Sequence, residues 1–278
     1  MLNNFYIEDH VKKALEEDIG FGDVTTDYLT NDTDIMKCEL NSRVDGVLCA
    51  TKVFEMVFAI LSKEVKVTFY LKDGDSIKKG DRIADIVGPA RYVLMGERVA
   101  LNYIQRMSGI ATETNKYQQA IGENKAKIVD TRKTTPLFRA FEKYSVKTCV
   151  GSLHRFNLSD CAMIKDNHIK YAGSLTKAVE KLRSHISLAH KIEVECDTFE
   201  QVKEAVACEA DIIMLDNMSL EQMKSCVDYI NGRAIVEASG NVNLSTIAEI
   251  AKTGVDIISS SAIVAKAPTL DLGLDCKE

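Results

Sequence analysis

Beyond residue 125 the chain repeats one rhythm: a short apolar run that closes on charged or polar residues. The runs are AKIVDTRK, CAMIKDNH, KIEVEC, DIIMLDN, AIVEASG and VDIISSS. Their ends, near 130, 165, 195, 216, 238 and 260, lie about 20 to 35 residues apart, the length of one strand-plus-helix unit. Between the later runs lie amphipathic helix patterns, one expected to start at Asp197 with Glu200 and another at Ser219 with Gln222. Nearly continuous apolar strands alternating with such helices predict a parallel sheet covered by helices. Six units, each with its polar residues at the strand's C-terminal end, point to an incomplete (β/α) barrel, whose active site lies on that face. A doubly wound open sheet is the alternative.

Before residue 112 the character differs. MKCELNSRVDGVLCA, VKVTFYL and DRIADIVG read as strands, with turns at Asp73-Gly74 and Lys79-Gly80-Asp81. VKKALEEDIGFGDVTT reads as an amphipathic helix closed by Gly20 and Gly22. The stretch from Arg91 to Gly122 carries Leu94, Leu101, Ile104, Ile110 and Ala111 at helical spacing, a long connector.

The eight cysteines are scattered without a C-x-x-C pair, and read as small buried hydrophobes in a reducing compartment, neither disulfide staples nor zinc ligands. No apolar run approaches the roughly 20 residues of a membrane helix, and the N-terminus lacks a signal-peptide core, so a cytoplasmic protein is expected. A net charge of −6 argues against general nucleic-acid binding. Yet residues 130–170 hold eight cations against four acids, an island suited to a small polyanion.

A barrel would set two groups of residues around its mouth. The first two strand ends and the segment between them supply Arg132, Lys133, Arg139, His154, Arg155 and Lys165, and the next three supply Glu193 or Glu195, Asp216 and Glu237. Residues two apart in a strand share a face, so Glu193 goes with Glu195 and Glu237 with Ser239. Several arginines and a lysine exceed the needs of one carboxylate and imply a more highly charged ligand. Glu195 and Asp216 can bind ribose hydroxyls, magnesium or a developing positive charge. The runs EASG (237–240) and SSSA (259–262) offer backbone N–H groups for phosphate, although a tight turn is the default reading of each. Lys165 alone could also be an imine-forming lysine.

Seven strings carry a resemblance: VDTRKTTP (129–136), FEKY (141–144), LHR (153–155), IKDNHI (164–169), IEVE (192–195), IIMLDN (212–217) and EASGNVN (237–243). Together with EEDIGFGDVTT (16–26) and LNYIQRMSGIAT (101–112), they resemble the quinolinate phosphoribosyltransferases, nearly end to end. The resemblance implies an N-terminal open-faced α/β sandwich (1–112, with the tail 267–278 returning to it) and a seven-stranded incomplete α/β barrel (113–266). It implies a homodimer, or a hexamer built from dimers, whose sites are completed by Arg106 of the partner subunit. Quinolinate would meet Arg106, Arg132, His154, Arg155 and Lys165. Phosphoribosyl pyrophosphate would meet Lys133, Glu195, Asp216, Ser239, Gly240 and Ser261, with Lys133, Glu195 and Asp216 catalytic. Magnesium would be held directly or indirectly by Glu195 and Asp216. No nucleic acid or membrane partner is implied.

Four positions depart from the family pattern. Leu137 follows Pro136 where a glycine is frequent, Ser152 replaces a histidine, and Ser261 and Ala265 stand where a glycine and a histidine are common, with Lys266 beside them. The competing readings are a related transferase of another aromatic acid, a Schiff-base aldolase through Lys165, and a ligand-binding protein without turnover.

Overall fold

The computed structural model describes residues 2–150 and 152–277. The chain divides into two compact units: Met1–Glu113, Leu137–Cys149 and Ala267–Glu278 form unit 1, and Thr114–Pro136 and Val150–Lys266 form unit 2.

Unit 1 opens with α1 (Asn4–Ile19), capped by the Asn3 side chain accepting from Tyr6 N at 2.8 Å and ended by Gly20 at φ 58°. Its Ile7, Val11 and Leu15, four apart, form one buried stripe. Then follow α2 (Thr26–Leu29), β1 (Ile35–Ser42), β2 (Gly46–Val47), α3 (Thr51–Leu61), β3 (Lys66–Phe69), β4 (Ser76–Ile77) and β5 (Arg82–Pro89). The helix α3 was not read from the sequence; it buries Val53, Phe54, Val57 and Phe58. Phe54 and Phe58 are fully buried with ring centroids 5.3 Å apart, and truncating either to alanine costs about 3–5 kcal/mol. The next element, α4 (Ala90–Ile121), is the long helix expected, about 48 Å by its rise per residue.

From there the chain builds β6 (Lys127–Val129), α5 (Arg139–Val150), β7 (Ala162–Ile164), α6 (Asp166–Ala172), α7 (Leu175–Arg183), β8 (Ile192–Cys196), α8 (Phe199–Ala207), β9 (Ile212–Asp216), α9 (Leu220–Ile230), β10 (Ile235–Ser239), α10 (Ile247–Lys252), β11 (Ile257–Ser259) and α11 (Ala262–Ala265). The final strand, β12 (Leu272–Lys277), pairs antiparallel with β1 in the unit 1 sheet, whose order is β12-β1-β5-β3.

The unit 2 sheet is parallel throughout, in the order β6-β11-β10-β9-β8-β7. Apart from β6, which joins the far side of the last strand, neighbours follow one another in sequence. A doubly wound sheet reverses direction at its middle, whereas this one winds a single way, as a barrel does. It is not closed, since β6 and β7 are its two edges. Among the described residues it has six strands where the resemblance implies seven. The stretch between β6 and β7 that could supply another, Leu153–Arg155, makes no ladder; its His154 N–H donates instead to the Asp130 carboxylate, at 3.0 Å.

The caps correct one expectation. Helix α8 starts from Thr198, not Asp197: the Thr198 hydroxyl accepts from Gln201 N and the Gln201 side chain accepts from Thr198 N at 3.0 Å. Thr198 and Gln201 satisfy two helix-end donors reciprocally, which Asp197 and Glu200 would do one residue out of register. Helix α9 starts from Ser219 with Gln222, as expected. Among the described residues no helix is long and apolar enough to cross a membrane.

Candidate active site

At the C-terminal strand ends of unit 2 lies a cavity of about 390 Å³, lined by Thr131, Arg132, Lys133, His154, Arg155, Met163, Lys165, Glu195, Met214, Asp216, Ser239 and Ser259. Strand alternation decides what enters it. Lys165 follows β7 directly, Glu195 is next to last in β8, and Asp216, Ser239 and Ser259 end β9, β10 and β11. Two residues earlier on the same faces stand Met163, Glu193, Met214 and Glu237. The cavity therefore has an upper polar ring and a layer beneath it that mixes methionine with two buried acids.

Cations and acids meet within this ring. Lys165 Nζ donates to Glu195 Oε2, and both are partly exposed, at 45% and 17%. Arg155 Nη1 donates to Cys161 O at 2.9 Å and its Nη2 lies 3.2 Å from Met163 Sδ. Asp216 Oδ2 accepts from Asn217 Nδ2 at 2.7 Å. Backbone strain gathers at the neighbouring turn: Asn217 and Asn241 have φ of 55° and 53°, and Gly240 has φ of 91°. Asn217 N donates to Ser239 O at 3.0 Å, and a Cβ on Gly240 would lie 2.2 Å from Asn217 Oδ1. Glycine is needed at 240 both for its φ and for that approach.

Below the ring, His154 stands between layers. Its Nε2 lies 3.4 Å from Glu193 Oε1 and 3.5 Å from Glu237 Oε2, with both acids almost wholly buried. Burial alone would lower its pKa, but the two carboxylates outweigh that and push it up to about 10. Nδ1 accepts from Arg155 N at 2.7 Å, which uses the lone pair a second proton would need and so opposes the rise. Burial raises the Glu193 carboxyl pKa. The ligand atoms of His154, Glu193 and Glu237 lie within 4.8 Å of one another and could hold a divalent ion. Sequence reasoning did not group these three. The signal was the i, i+2 spacing of Glu193 with Glu195 and of Glu237 with Ser239, but the site of their meeting depends on His154, far away in sequence.

The cavity thus brings together Arg132, Lys133, His154, Arg155, Lys165, Glu195, Asp216 and Ser239. Gly240 and Ser261 are not among its lining residues; Gly240 underlies the β10 turn and Ser261 precedes α11. Arg106 lies in unit 1, where its Nη2 donates to the buried Glu142 at 2.9 Å and its Nη1 to Ala267 O at 2.8 Å. Arg139 starts α5 and also belongs to unit 1. His168 does not line the cavity: its Nδ1 accepts from Lys165 N at 2.9 Å and caps α6. Ser259 and Thr131 line it without having been singled out, Ser259 only as part of the SSSA run.

One departure from the family pattern has a visible cost. Leu137 adopts φ of 61°, the left-handed region that favours glycine.

Family models for the quinolinate phosphoribosyl transferase N-terminal and C-terminal domains match residues 23–108 and 110–275. The chain is 40% identical over 271 residues to the probable nicotinate-nucleotide pyrophosphorylase (carboxylating) of Synechocystis sp., covering 96% of this chain and 92% of that protein. It is 38% identical to the protein of the same name from Bacillus subtilis, covering 99% and 92%. The crystal structure of NadC from Streptococcus pyogenes superposes with a TM-score of 0.96 at 41% identity, over 100% of this chain and 99% of that one. With both halves matched by the family's models and the whole length by its members, the chain belongs to the quinolinate phosphoribosyltransferase family.

Proposed function

We propose that the unit 2 cavity transfers the 5-phosphoribosyl group of phosphoribosyl pyrophosphate to quinolinate, releasing pyrophosphate and CO2 and giving nicotinate mononucleotide. The observation that carries this reading is the division of one cavity into a cationic part, Arg132, Lys133, His154, Arg155 and Lys165, and an acidic and hydroxyl part, Glu195, Asp216 and Ser239. Planar guanidinium groups suit the two carboxylates of quinolinate, and holding them turns the ring nitrogen toward the sugar's anomeric carbon. Lys133 neutralises diphosphate charge. As pyrophosphate leaves, Glu195 and Asp216 face the positive charge that develops on the ribose ring. Once its nitrogen is alkylated, the ring accepts the electron pair of the adjacent carboxylate, so loss of CO2 needs no dedicated base.

Magnesium suits Glu195 and Asp216, oxygen donors in an open cavity with room for water and diphosphate. It suits the His154, Glu193 and Glu237 group less well: a buried imidazole with two carboxylates is the donor set of a transition ion. When bound, magnesium would offset diphosphate charge and so make pyrophosphate a better leaving group. Gly240 and Ser261 serve the phosphate end through their backbone N–H groups. Residues 1–112 with the tail 267–278 form the domain that donates Arg106 of the partner subunit within a homodimer, and 113–266, apart from the segment Leu137–Cys149 that belongs with unit 1, form the barrel.

The test is product formation from quinolinate and phosphoribosyl pyrophosphate with magnesium, with nicotinate as the parallel acceptor. Nicotinate mononucleotide is expected from quinolinate alone. Equal turnover of nicotinate, or binding of quinolinate without product, overturns the reading.

A further inference from the structure

We propose that Cys38 and Cys276 are a modification site, joined by a low-molecular-weight disulfide oxidant into a reversible cross-strand disulfide that fastens the C-terminal strand to unit 1. The pairing register places Cys38 of β1 directly opposite Cys276 of β12. Directly opposed residues of antiparallel strands have Cα atoms about 4.5–5.5 Å apart, within the range a disulfide spans. The side chains already face each other: Cys38 Sγ donates to Cys276 Sγ at 3.1 Å. Among the described residues no other pair of cysteine sulfurs is in hydrogen-bond contact, although all eight cysteines are free.

The two thiols differ in access. Cys276 is exposed, whereas Cys38 is fully buried. A soluble oxidant therefore meets Cys276 first, and Cys38 is reached only by its neighbour. The Cys276 thiolate attacks the oxidant's disulfide and releases one of its halves as a thiolate. That thiolate takes the proton of Cys38, whose sulfur then attacks Cys276, forming the protein disulfide and expelling the second half. Two protein thiols are oxidised and one small disulfide is reduced to two thiols. Burial raises the Cys38 thiol pKa, so the second step is the slow one, and Cys38 does not react on its own.

The bond would act on a segment that carries weight in unit 1. β12 is an edge strand. The residues leading into it are tied to α4: Arg106 Nη1 donates to Ala267 O at 2.8 Å, Leu270 N to Gln105 O at 3.0 Å, and Gln105 Nε2 to Leu272 O at 2.7 Å. A covalent link near the far end of β12 stops this returning segment from peeling away, and with it the carbonyl that anchors Arg106.

The test treats the full chain with oxidised glutathione. Free thiols are expected to fall from eight to six, peptide mapping to join Cys38 to Cys276, and dithiothreitol to reverse both changes. Amide exchange across 267–277 should slow by about tenfold in the oxidised protein. Cys276→Ser, at an exposed position, should keep Cys38 reduced under the same treatment. A stable glutathione adduct on Cys276 with Cys38 still free, a different cysteine pair, or a bond that leaves exchange across 267–277 unchanged overturns the proposal.

Discussion

Gly109→Ala separates two physical effects of opposite sign. Gly109 lies inside α4, where exchanging glycine for alanine by itself stabilises a helix by about 1 kcal/mol. Here, however, the added Cβ would lie 1.9 Å from Pro268 O, 3.0 Å from Pro268 C and 3.2 Å from Leu270 N. All three are backbone atoms and cannot turn aside as a side chain can. A carbon–oxygen contact needs about 3.3 Å, so the returning segment must retreat by more than about 1 Å. That retreat breaks or badly stretches the bonds from Arg106 to Ala267, from Leu270 to Gln105 and from Gln105 to Leu272. At about 1 kcal/mol each they amount to about 3 kcal/mol, leaving a net loss of about 2 kcal/mol after the helix gain. The chain has no tryptophan, so urea unfolding is followed by far-ultraviolet circular dichroism. The midpoint of the transition that includes unit 1 should fall by about 0.5–1 M. A midpoint equal to or above that of the parent would refute the reasoning, because helix propensity would then have outweighed the contact.

Leu137→Gly should stabilise by up to about 1 kcal/mol, since the left-handed φ costs leucine about 1–2 kcal/mol, glycine's freedom in the unfolded chain returns part of this, and the side chain is 86% exposed; a destabilised variant in urea titration would count against it. Gly240→Ala should weaken phosphoribosyl pyrophosphate binding about tenfold by calorimetry as the β10 turn shifts from Asn217, and unchanged affinity would remove Gly240 from the phosphate end. Chelation of magnesium should abolish turnover and its return restore it; turnover that survives chelation contradicts the role given to Glu195 and Asp216. Burial, with Lys13 nearby, lowers the His10 pKa, so the neutral ring supports the fold above pH 6.5 and this support declines as pH falls below it; an NMR titration midpoint above 6.5 would be inconsistent.

Much of the candidate cavity's lining was legible because strand alternation is local. Lys165, Glu195, Asp216 and Ser239 each follow from where an apolar run ends, and all four line the cavity. Capping was legible to within one residue: Ser219 was found, but Thr198 was missed because Asp197 offers an equally good cap to a reader without the backbone. The helix α3 was missed although its buried residues, Val53, Phe54, Val57 and Phe58, recur at helical spacing in the sequence.

By itself, the sequence determined the alternation of strand and helix in the second half and the sign of charge at the strand ends, because each rests on a few residues close together in the chain, and the family, because nine short strings occur in order along it. Tertiary structure decided what depends on distant partners. It paired β6 with β11, gathered Leu137–Cys149 into unit 1, and left the sheet open between β6 and β7. It also gave two glutamates of one strand face different work: Glu195 reaches Lys165 in the cavity, while Glu193 lies beneath, against His154 and beside Glu237. Their spacing says only that they point the same way. How deep each lies, and therefore what each can bind, is set by the neighbouring strands and by a histidine that no local pattern connects to them.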